Sequence, residues 1–493
     1  MIYAQHNVYP LQGPLLVWGI GAGCIGLAAF WPSALVGGAF FVLLCAVGCV
    51  WRRGEPPILA FCLAYQWLFI IAGYLCQQVT GIYPGIEKLG RIDAAVGISL
   101  LGLLVLVAGI RMGLHAFPPS ADIGQNRATP SLPSYDVQRL CLWVIGLYTV
   151  NWFFHITPMT ILFDAAQLLY NALAMRGIFL ALLLFVVLQH QTGYGYAMLV
   201  FIYVLIPQFA SMMSHFKESF FLLAIALCSQ WHPWSPLPSD RRRSRYIAWA
   251  MVGTATALLL MAVLWEGGIK PRWRPAIMQG TVSGSPIQKL KAFSFLVQDA
   301  TAELDVFFAS QALVARLSSG VGFFSRVLDR VPDVIPYERG SLTLRALQHS
   351  VKPRFLFPDK PDLGSDSWLV WKYAGMRAAK ETKDTSIGLG YMAEFYIDFG
   401  IPGMFAPLFA YGLLIGIVYR SVDLFAPSPP LFHSLVTIIF LQHFMSYEGE
   451  VAKLLGGLIQ TWLLFLLFLY ICGSWVHTHL QRRVETEARL YAH

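Results

Sequence analysis

The stretch PILAFCLAYQWLFIIAGYLCQQ, residues 57–78, contains 22 residues and no charged side chain. A helix rises about 1.5 Å per residue, so a helix of this length reaches about 30 Å, the thickness of the hydrocarbon core of a bilayer. A chain that crosses the bilayer must satisfy its own backbone groups, which a helix does within one segment. The stretch therefore predicts a membrane-spanning α-helix.

The whole chain shares this apolar character. Of its 493 residues, 57% are hydrophobic and 13% are charged, whereas a soluble domain carries about 25% charged residues. A single soluble core also stops growing at about 250–300 residues. The composition therefore excludes one large soluble domain and predicts an all-α, polytopic membrane helical bundle.

Apolar windows of similar length recur along the chain and predict about 12 spans. The first window follows a weakly charged start and leads directly into the second, so we expect it to be retained as a span rather than cleaved. The windows are 15–31, 33–51, 57–78, 93–110, 138–155, 172–190, 195–213, 218–231, 246–266, 399–419, 431–447 and 454–475.

Basic residues between the windows give the expected orientation. With 12 spans they all fall on one side together with both termini, and the bias of lysine and arginine makes that side cytoplasmic. We thus predict spans one to nine in 1–266, an outward loop domain in 267–390, spans 10–12 in 391–476, and a cytoplasmic tail in 477–493. The basic residues are Arg52, Arg53, Arg111, Arg127, Arg139, the RRRSR run of 241–245, Arg420, Arg482 and Arg483.

The predicted outward loop is basic. Residues 267–390 contain 17 Lys and Arg against 11 Asp and Glu, although the translocated side usually has fewer cations. Two interpretations stay open, a solvated loop with ordinary charge or a site for an anion such as a lipid phosphate. Within the loop, LDVFFASQALVARL (304–317) has helical apolar spacing and predicts a helix on the bilayer surface or packed on the spans.

The segment PRFLFPDKPDLGSDS, residues 353–367, is the most polar part of this loop. Pro353, Pro358 and Pro361 favour an extended backbone, which would hold Arg354 and Lys360 in place beside the membrane. With Arg339 and Arg345 they form a set of four cations within 22 residues. A short helix is predicted over 341–350, after Gly340.

Further polar residues lie at ends of spans on the same predicted side. Arg176 lies inside an apolar run, where a charge is costly without an anionic partner, whereas Lys217 could simply extend to the interface. Glu394 and Asp398 precede the tenth span and could either pair with a loop arginine or serve as a general base. The other residues in this set are His155, Asp164, His215, Glu218, His443, Glu448 and Glu450.

Patterns for cofactors and metals are weak. The eight cysteines lie in apolar runs without the spacing of a zinc site, and no dense group of Asp and Asn offers oxygen ligands for Mg²⁺ or Ca²⁺. A GxGxxG match at Gly21, Gly23 and Gly26 lies inside a predicted span, where close helix packing explains it better than a dinucleotide site does. We therefore expect neither a cofactor nor a metal.

One part of the chain resembles a known family. The order IPYERG (335–340), KPRFLFPDKP (352–361) and TSIGLGYMAEFYIDFGIPG (385–403) is similar to the large periplasmic loop and following helix of bacterial oligosaccharide repeat-unit polymerases. These are Wzy-type, O-antigen-polymerase-like membrane proteins, and the resemblance covers roughly 326–420. It implies a GT-C-like, metal-independent glycosyltransferase of the bacterial inner membrane. Because they lie in the matching motifs, the resemblance implies functional roles for Arg339, Arg354, Lys360 and Glu394.

The resemblance implies undecaprenyl-pyrophosphate-linked glycans as substrates, contact with membrane lipid, and a chain-length regulator and a flippase as partners; no nucleic acid is expected. Cations could neutralise the departing pyrophosphate, and a carboxylate or histidine could take the proton from the attacking hydroxyl. The predicted pyrophosphate ligands are Arg176, Lys217, Arg339, Arg345, Arg354 and Lys360. The candidates for the catalytic base are Glu394, Glu448 and His349.

Other functions remain compatible with the sequence. A glycan ligase would use the same chemistry with a different acceptor. A transporter would fit the span count, but the two halves show no pseudo-symmetry and no paired broken helices. A non-catalytic envelope scaffold would need none of the polar residues at the predicted outer side.

Overall fold

A computed structural model describes residues 21, 33–51, 55–86, 89–116, 135–156, 175–209, 216–231, 238–282, 286–352, 357, 366–376 and 387–481. Of these residues 83% are helical and none forms a strand. The helices are α1 Ala34–Val50, α2 Ile58–Thr80, α3 Ile92–Leu114, α4 Val137–Ile156, α5 Arg176–His190, α6 Tyr194–Phe209, α7 Phe216–Ser229, α8 Pro238–Leu264, α9 Lys270–Met278, α10 Pro286–Ala302, α11 Val306–Arg330, α12 Ser341–Val351, α13 Asp366–Ala374, α14 Tyr391–Gly403, α15 Phe405–Phe425, α16 Pro429–His443, α17 Val451–Phe468 and α18 Ser474–Leu480.

Each predicted window from 33–51 onward overlaps a helix, although 399–419 crosses the kink at Gly400 and Ile401 and 431–447 runs past the end of its helix at His443. Window 15–31 lies outside the described residues apart from Gly21. Six helical stretches in the described part of the chain are long and apolar enough to cross a membrane. The count of 12 spans stays a prediction, because several of the matched helices are shorter. The six stretches are Ile58–Thr80, Ile92–Leu114, Pro238–Ile277, Val306–Arg330, Phe405–Phe425 and Val451–Leu480.

Small residues bring α3 and α15 together side by side. Gly109 and Gly113 on α3 face Gly412 and Gly416 on α15, so each helix carries a GxxxG pair at the contact. A Cβ at Gly412 would lie 2.2 Å from the Leu106 carbonyl oxygen, so only glycine permits this approach. Such close backbone contact is how helices associate in lipid, where burial of apolar surface supplies little driving force.

The sequence predicts that a set of arginines shares one side of the membrane. The described members of this set lie at one end of the helical bundle, which we call the arginine end. Arg111 donates to the Cys49 carbonyl, Arg139 to that of His479 and Arg243 to that of Leu188. Further contacts link these positions, including a hydrogen bond of 2.6 Å between the hydroxyl of Tyr419 and Glu55. Which side of a membrane this end faces stays a prediction.

The segment predicted as an outward loop is partly continuous with the bundle. The helix of the ninth window begins at Pro238 and runs on through a π-helical turn at Trp265–Ile269 into α9. Helix α11 packs against α2 and α3, and its buried side chains share one hydrophobic core with theirs. The buried side chains that α11 adds to this core lie between Val321 and Leu328, whereas Val306, Phe307 and Phe308 are exposed, so both alternatives for 304–317 stay predictions. Helix α12 confirms the short helix after Gly340. The position of 267–390 outside the membrane stays a prediction.

Candidate functional site

Helix α16 ends well inside the bundle rather than at its edge. The side chain of Gln66, near the middle of α2, donates to the carbonyl of Phe444 over 2.5 Å, directly after α16. The hydroxyls of Tyr447 and Ser99, two turns into α3, are 2.8 Å apart. Residues 444–450, which we call the buried linker, therefore cross the interior between α16 and α17. Irregular backbone at such depth is tolerated only where protein or a polar cavity satisfies it.

A second irregular segment supports the buried linker. Residues 387–390 lie against it so closely that a Cβ at Gly388 would be 2.3 Å from the carbonyl oxygen of Glu448. Gly390 adopts a φ of 97°, which an L side chain rarely adopts, just before α14 begins. The IGLG sequence of residues 387–390 therefore lets two chain segments without regular structure pack together beside α14.

A cavity of about 320 Å³ opens beside the buried linker. It lies between the starts of α5 and α7 and the end of α16, and its lining includes Arg176, Lys217, Gln442 and His443. We call it the cationic cavity. The volume is that of a small-molecule site, and these four polar side chains come from three different helices that only the fold brings together.

Arg176 and Lys217 are the two predicted ligands that meet here. The guanidinium carbon of Arg176 lies 5.6 Å from the centroid of the Tyr148 ring, which holds the side chain by a cation–π contact. Glu218 lines the same cavity and offsets part of the charge. Both cations are only partly exposed, and an anion would interact with them more strongly here than in bulk water.

Arg316 on α11 is a functional candidate that sequence reasoning missed. Its guanidinium forms an ion pair with Glu448, which also accepts a hydrogen bond from Ser319. The charge of Arg316 acts on the ammonium of Lys217 and therefore extends the positive region of the cavity. The signal was one arginine in an apolar, helical stretch, LDVFFASQALVARL, for which we considered only the bilayer surface or packing on the spans.

Lys270 and Glu266 complete the charged group around Lys217. The two side chains are paired over 2.5 Å, one turn apart where α8 passes through its π-helical turn, and both charges act on Lys217. Four cations therefore meet three carboxylates in this region, an excess of one positive charge. The cations are Arg176, Lys217, Lys270 and Arg316; the carboxylates are Glu218, Glu266 and Glu448.

Asp398 and Glu394, both buried on α14, bond to the N-termini of other helices. Asp398 accepts from the backbone N–H groups of Leu342 and Thr343 over 3.0 and 2.7 Å, at the first turn of α12. Glu394 accepts from the N–H of Val451 over 3.2 Å, at the start of α17. The first N–H groups of a helix have no partner within that helix, so both carboxyls fasten helices to α14 by accepting these hydrogen bonds.

Burial raises the pKa of Glu394 to about 8, although the hydrogen bond from Val451 opposes the shift. Burial likewise raises the pKa of Glu450 to about 9, helped by a hydrogen bond with Asp366 and by the charge of Glu394. Lys453 forms an ion pair with Asp366. We call Asp366, Glu394, Glu450 and Lys453 the carboxyl cluster. At neutral pH it holds protons, because ionised carboxylates would repel one another in a buried site.

The remaining predicted residues lie away from the cationic cavity. Arg339 and Arg345 are exposed at and beyond the start of α12, and His349 is half-buried near its end; none lines the cavity. Arg354 and Lys360 lie outside the described residues, as do His215 and Asp164. The structure therefore brings together Arg176 and Lys217, with Glu448 close by through Arg316.

Metal ligation finds little support in the described part of the chain. It contains no group of three or more His, Cys, Asp or Glu side chains placed to hold a metal ion. Within the carboxyl cluster, Lys453 already occupies the space beside Asp366.

Comparisons with known proteins give a family. Residues 99–427, which are 329 of the 493 residues, match the DUF8712 family, described as a domain of unknown function. No curated protein and no solved structure matches the chain.

Proposed function

We propose a function for this chain, which belongs to the DUF8712 family, from the chemistry of its cationic cavity: it is a membrane glycosyltransferase that joins lipid-pyrophosphate-linked oligosaccharide units. The observation that carries the proposal is the placement of Arg176 and Lys217 around one cavity in the helical bundle, with Arg316 acting on Lys217. Charges in an apolar bundle are costly unless they are paired or line a polar cavity, and the carboxylates nearby leave an excess of one positive charge beside this cavity.

The resemblance to Wzy-type polymerases implies the reaction, and the cations of the cavity suit its leaving group. A hydroxyl oxygen of one sugar unit attacks the anomeric carbon of another, and the bond from that carbon to the pyrophosphate oxygen breaks. The pyrophosphate leaves with the electron pair and gains negative charge in the transition state. Arg176 and Lys217 stabilise this charge because their positions are set before the reaction begins.

The proton of the attacking hydroxyl needs an acceptor. We assign this role to Glu448, because it lies on the buried linker that contributes Met445 and Ser446 to the cavity. Its pairing with Arg316 and Ser319 fixes the position of its carboxylate. Glu394 is a weaker candidate, since its raised pKa leaves it protonated at neutral pH and it holds α17; His349 lies on α12, away from the cavity.

The substrate class rests on the resemblance of 326–420 to Wzy-type polymerases. On that basis we propose undecaprenyl-pyrophosphate-linked repeat units as substrates, the bacterial inner membrane as the location with both termini cytoplasmic, and a GT-C-like bundle of 12 spans. The apolar helices support a membrane location. A chain-length regulator and a flippase are the proposed partners.

The test is synthesis with purified protein in detergent or nanodiscs. Lipid-linked repeat units alone should yield a ladder of products that differ by one unit, and no other acceptor should be needed. Product that appears only after a second lipid or protein acceptor is added would instead identify a ligase. No product with either acceptor, from protein that remains folded, would argue for a transporter or a scaffold.

Topology can be tested separately. Cysteine labels or tags placed at exposed positions within 267–390, such as Ser294, should report an extracytoplasmic location. Labelling from the cytoplasmic side would contradict the proposed reaction at the outer face.

A further inference from the structure

A run of arginines opens α8 at the arginine end of the bundle. Arg241, Arg242 and Arg245 are exposed, and none of the three forms a hydrogen bond or ion pair with another described residue. Three cations so close together repel one another and are stabilised by an anion in solution or at a membrane surface. The proposed glycosyl transfer uses none of them.

The residues that follow have the order expected at a bilayer surface. Tyr246 and Trp249 come within two turns of the arginines, and their side chains are 69% and 75% exposed. The apolar part of Pro238–Ile277 then follows, and only 6% of its most apolar window is buried within the protein. Aromatic side chains favour the interface between headgroups and acyl chains, so the arginines lie at the level of lipid phosphates.

Two grooves flank this helix start. One, of about 710 Å³, joins Arg242 to the apolar side chains of Leu188, Leu227 and Ala250. The other, of about 530 Å³, joins Arg241 and Arg245 to Trp231 and Ala248. Each groove therefore has a cationic rim above an apolar floor, which matches a molecule with an anionic head and a hydrocarbon tail.

Arg243 holds the grooves in shape. Its Nη2 donates to the Leu188 carbonyl over 2.6 Å and to Gln230 Oε1 over 3.0 Å. This one arginine thus fixes the start of α8 to the ends of α5 and α7. The other three are left to face outward, so the site is formed before any ligand arrives.

We propose that these two grooves bind anionic phospholipids of the surrounding bilayer. The guanidinium groups of Arg241, Arg242 and Arg245 contact the headgroup phosphate through paired N–H donors, and the acyl chains lie along the apolar floors. Free phosphate would use the same donors but would gain nothing from those floors. This inference is independent of the proposed transferase activity.

The test compares lipid binding by native mass spectrometry of the full chain released from detergent. Phosphatidylglycerol and phosphatidylcholine with identical acyl chains are the probes. A charge near the surface contributes about fivefold in affinity, so Arg241→Gln/Arg242→Gln/Arg245→Gln should weaken phosphatidylglycerol binding roughly 100-fold. Phosphatidylcholine binding should not change.

A matched control removes three charges from the far end of the same continuous helix and from α10, as Arg272→Gln/Arg274→Gln/Lys291→Gln. It should retain wild-type phosphatidylglycerol binding. Should the first triple variant not fold, Arg242→Gln and Arg245→Gln test the two grooves one at a time, each with a loss of roughly fivefold. The proposal would be overturned if both lipids bound equally or if the control lost as much binding as the triple variant. It would also be overturned if inorganic phosphate competed fully with the lipid or if the single variants bound like the wild type.

Discussion

The cationic cavity and the carboxyl cluster differ in the charge of their side chains and in what surrounds those side chains. In the cationic cavity, Arg176 and Lys217 border open space. In the carboxyl cluster, Glu394 accepts a backbone N–H and Asp366 pairs with Lys453, so these two carboxyls have partners in the protein, whereas Oε1 of Glu450 is buried without a hydrogen bond to any described residue. A buried charge with its partner in the fold serves stability, whereas a buried charge beside a cavity is available to a ligand. The comparison supports the proposal that the cations bind a ligand and that Glu394 has a structural role.

The largest effect should follow from removal of the cavity cations. Arg176→Ala/Lys217→Ala should lower ladder synthesis roughly 100- to 1,000-fold, the scale of losing fixed electrostatic contacts to a leaving group. The temperature of unfolding should change little. Activity and unfolding are measured on the same preparation.

The matched control for this variant is Arg272→Ala/Lys291→Ala, which removes two exposed cations elsewhere. It should keep wild-type activity. An equal loss in both double variants would mean that net charge, rather than the cavity, controls the reaction.

Asp398→Ala should give the next largest effect, on stability. The variant leaves two N–H groups and the hydroxyl of Thr343 without their acceptor, which costs roughly 3 kcal/mol of unfolding free energy. Chemical denaturation in mild detergent measures the change. For comparison, Asp305→Ala removes a single cap hydrogen bond at the exposed start of α11 and should cost about 1 kcal/mol. Similar values for the two would show that Asp398 does not hold α12.

The carboxyl cluster should make stability depend on pH. The folded protein raises the pKa of Glu450 to about 9 and that of Glu394 to about 8, above the value of about 4.3 for an unfolded glutamate. Their stabilising effect is therefore complete below about pH 4 and is lost as pH rises through 8 and 9. Glu450→Gln stays neutral at every pH and should flatten the decline in unfolding temperature between pH 5 and 9.

In the Glu450→Gln variant, the raised pKa of Glu394 should still cause part of the decline in unfolding temperature. The double variant Glu394→Gln/Glu450→Gln should remove most of this decline. A decline in the double variant as steep as in the wild type would show that other groups control the pH dependence.

The smallest effect is expected from arginines that the sequence favoured and the structure places apart from the cavity. Arg339→Gln/Arg345→Gln should change ladder synthesis by less than about fivefold, because exposed charges interact weakly with a distant anion. A loss of ladder synthesis as large as that in Arg176→Ala/Lys217→Ala would indicate that the pyrophosphate binds near α12 instead. Arg354→Gln/Lys360→Gln extends the same measurement to the segment that carries the family resemblance.

Part of this site could be predicted from the chain alone. Arg176 interrupts an apolar run, and the cost of a lone charge in such a run by itself indicates an anionic partner. Lys217 and Glu448 followed from their place at the ends of predicted spans. Their companion Arg316 did not, because its pairing with Glu448 joins positions 132 residues apart.

The sequence by itself determined the helical, membrane-compatible character of the protein, since length and hydrophobicity of each segment set that locally. It also determined the arginine-rich end and the helix after Gly340. Only the tertiary structure decided that α16 stops inside the bundle, that Glu394 and Asp398 hold helix N-termini, and that Arg176 and Lys217 share one cavity. Such contacts depend on how distant helices pack, and the glycines of each GxxxG pair do not by themselves specify which helix, such as α3 for Gly412, they will approach.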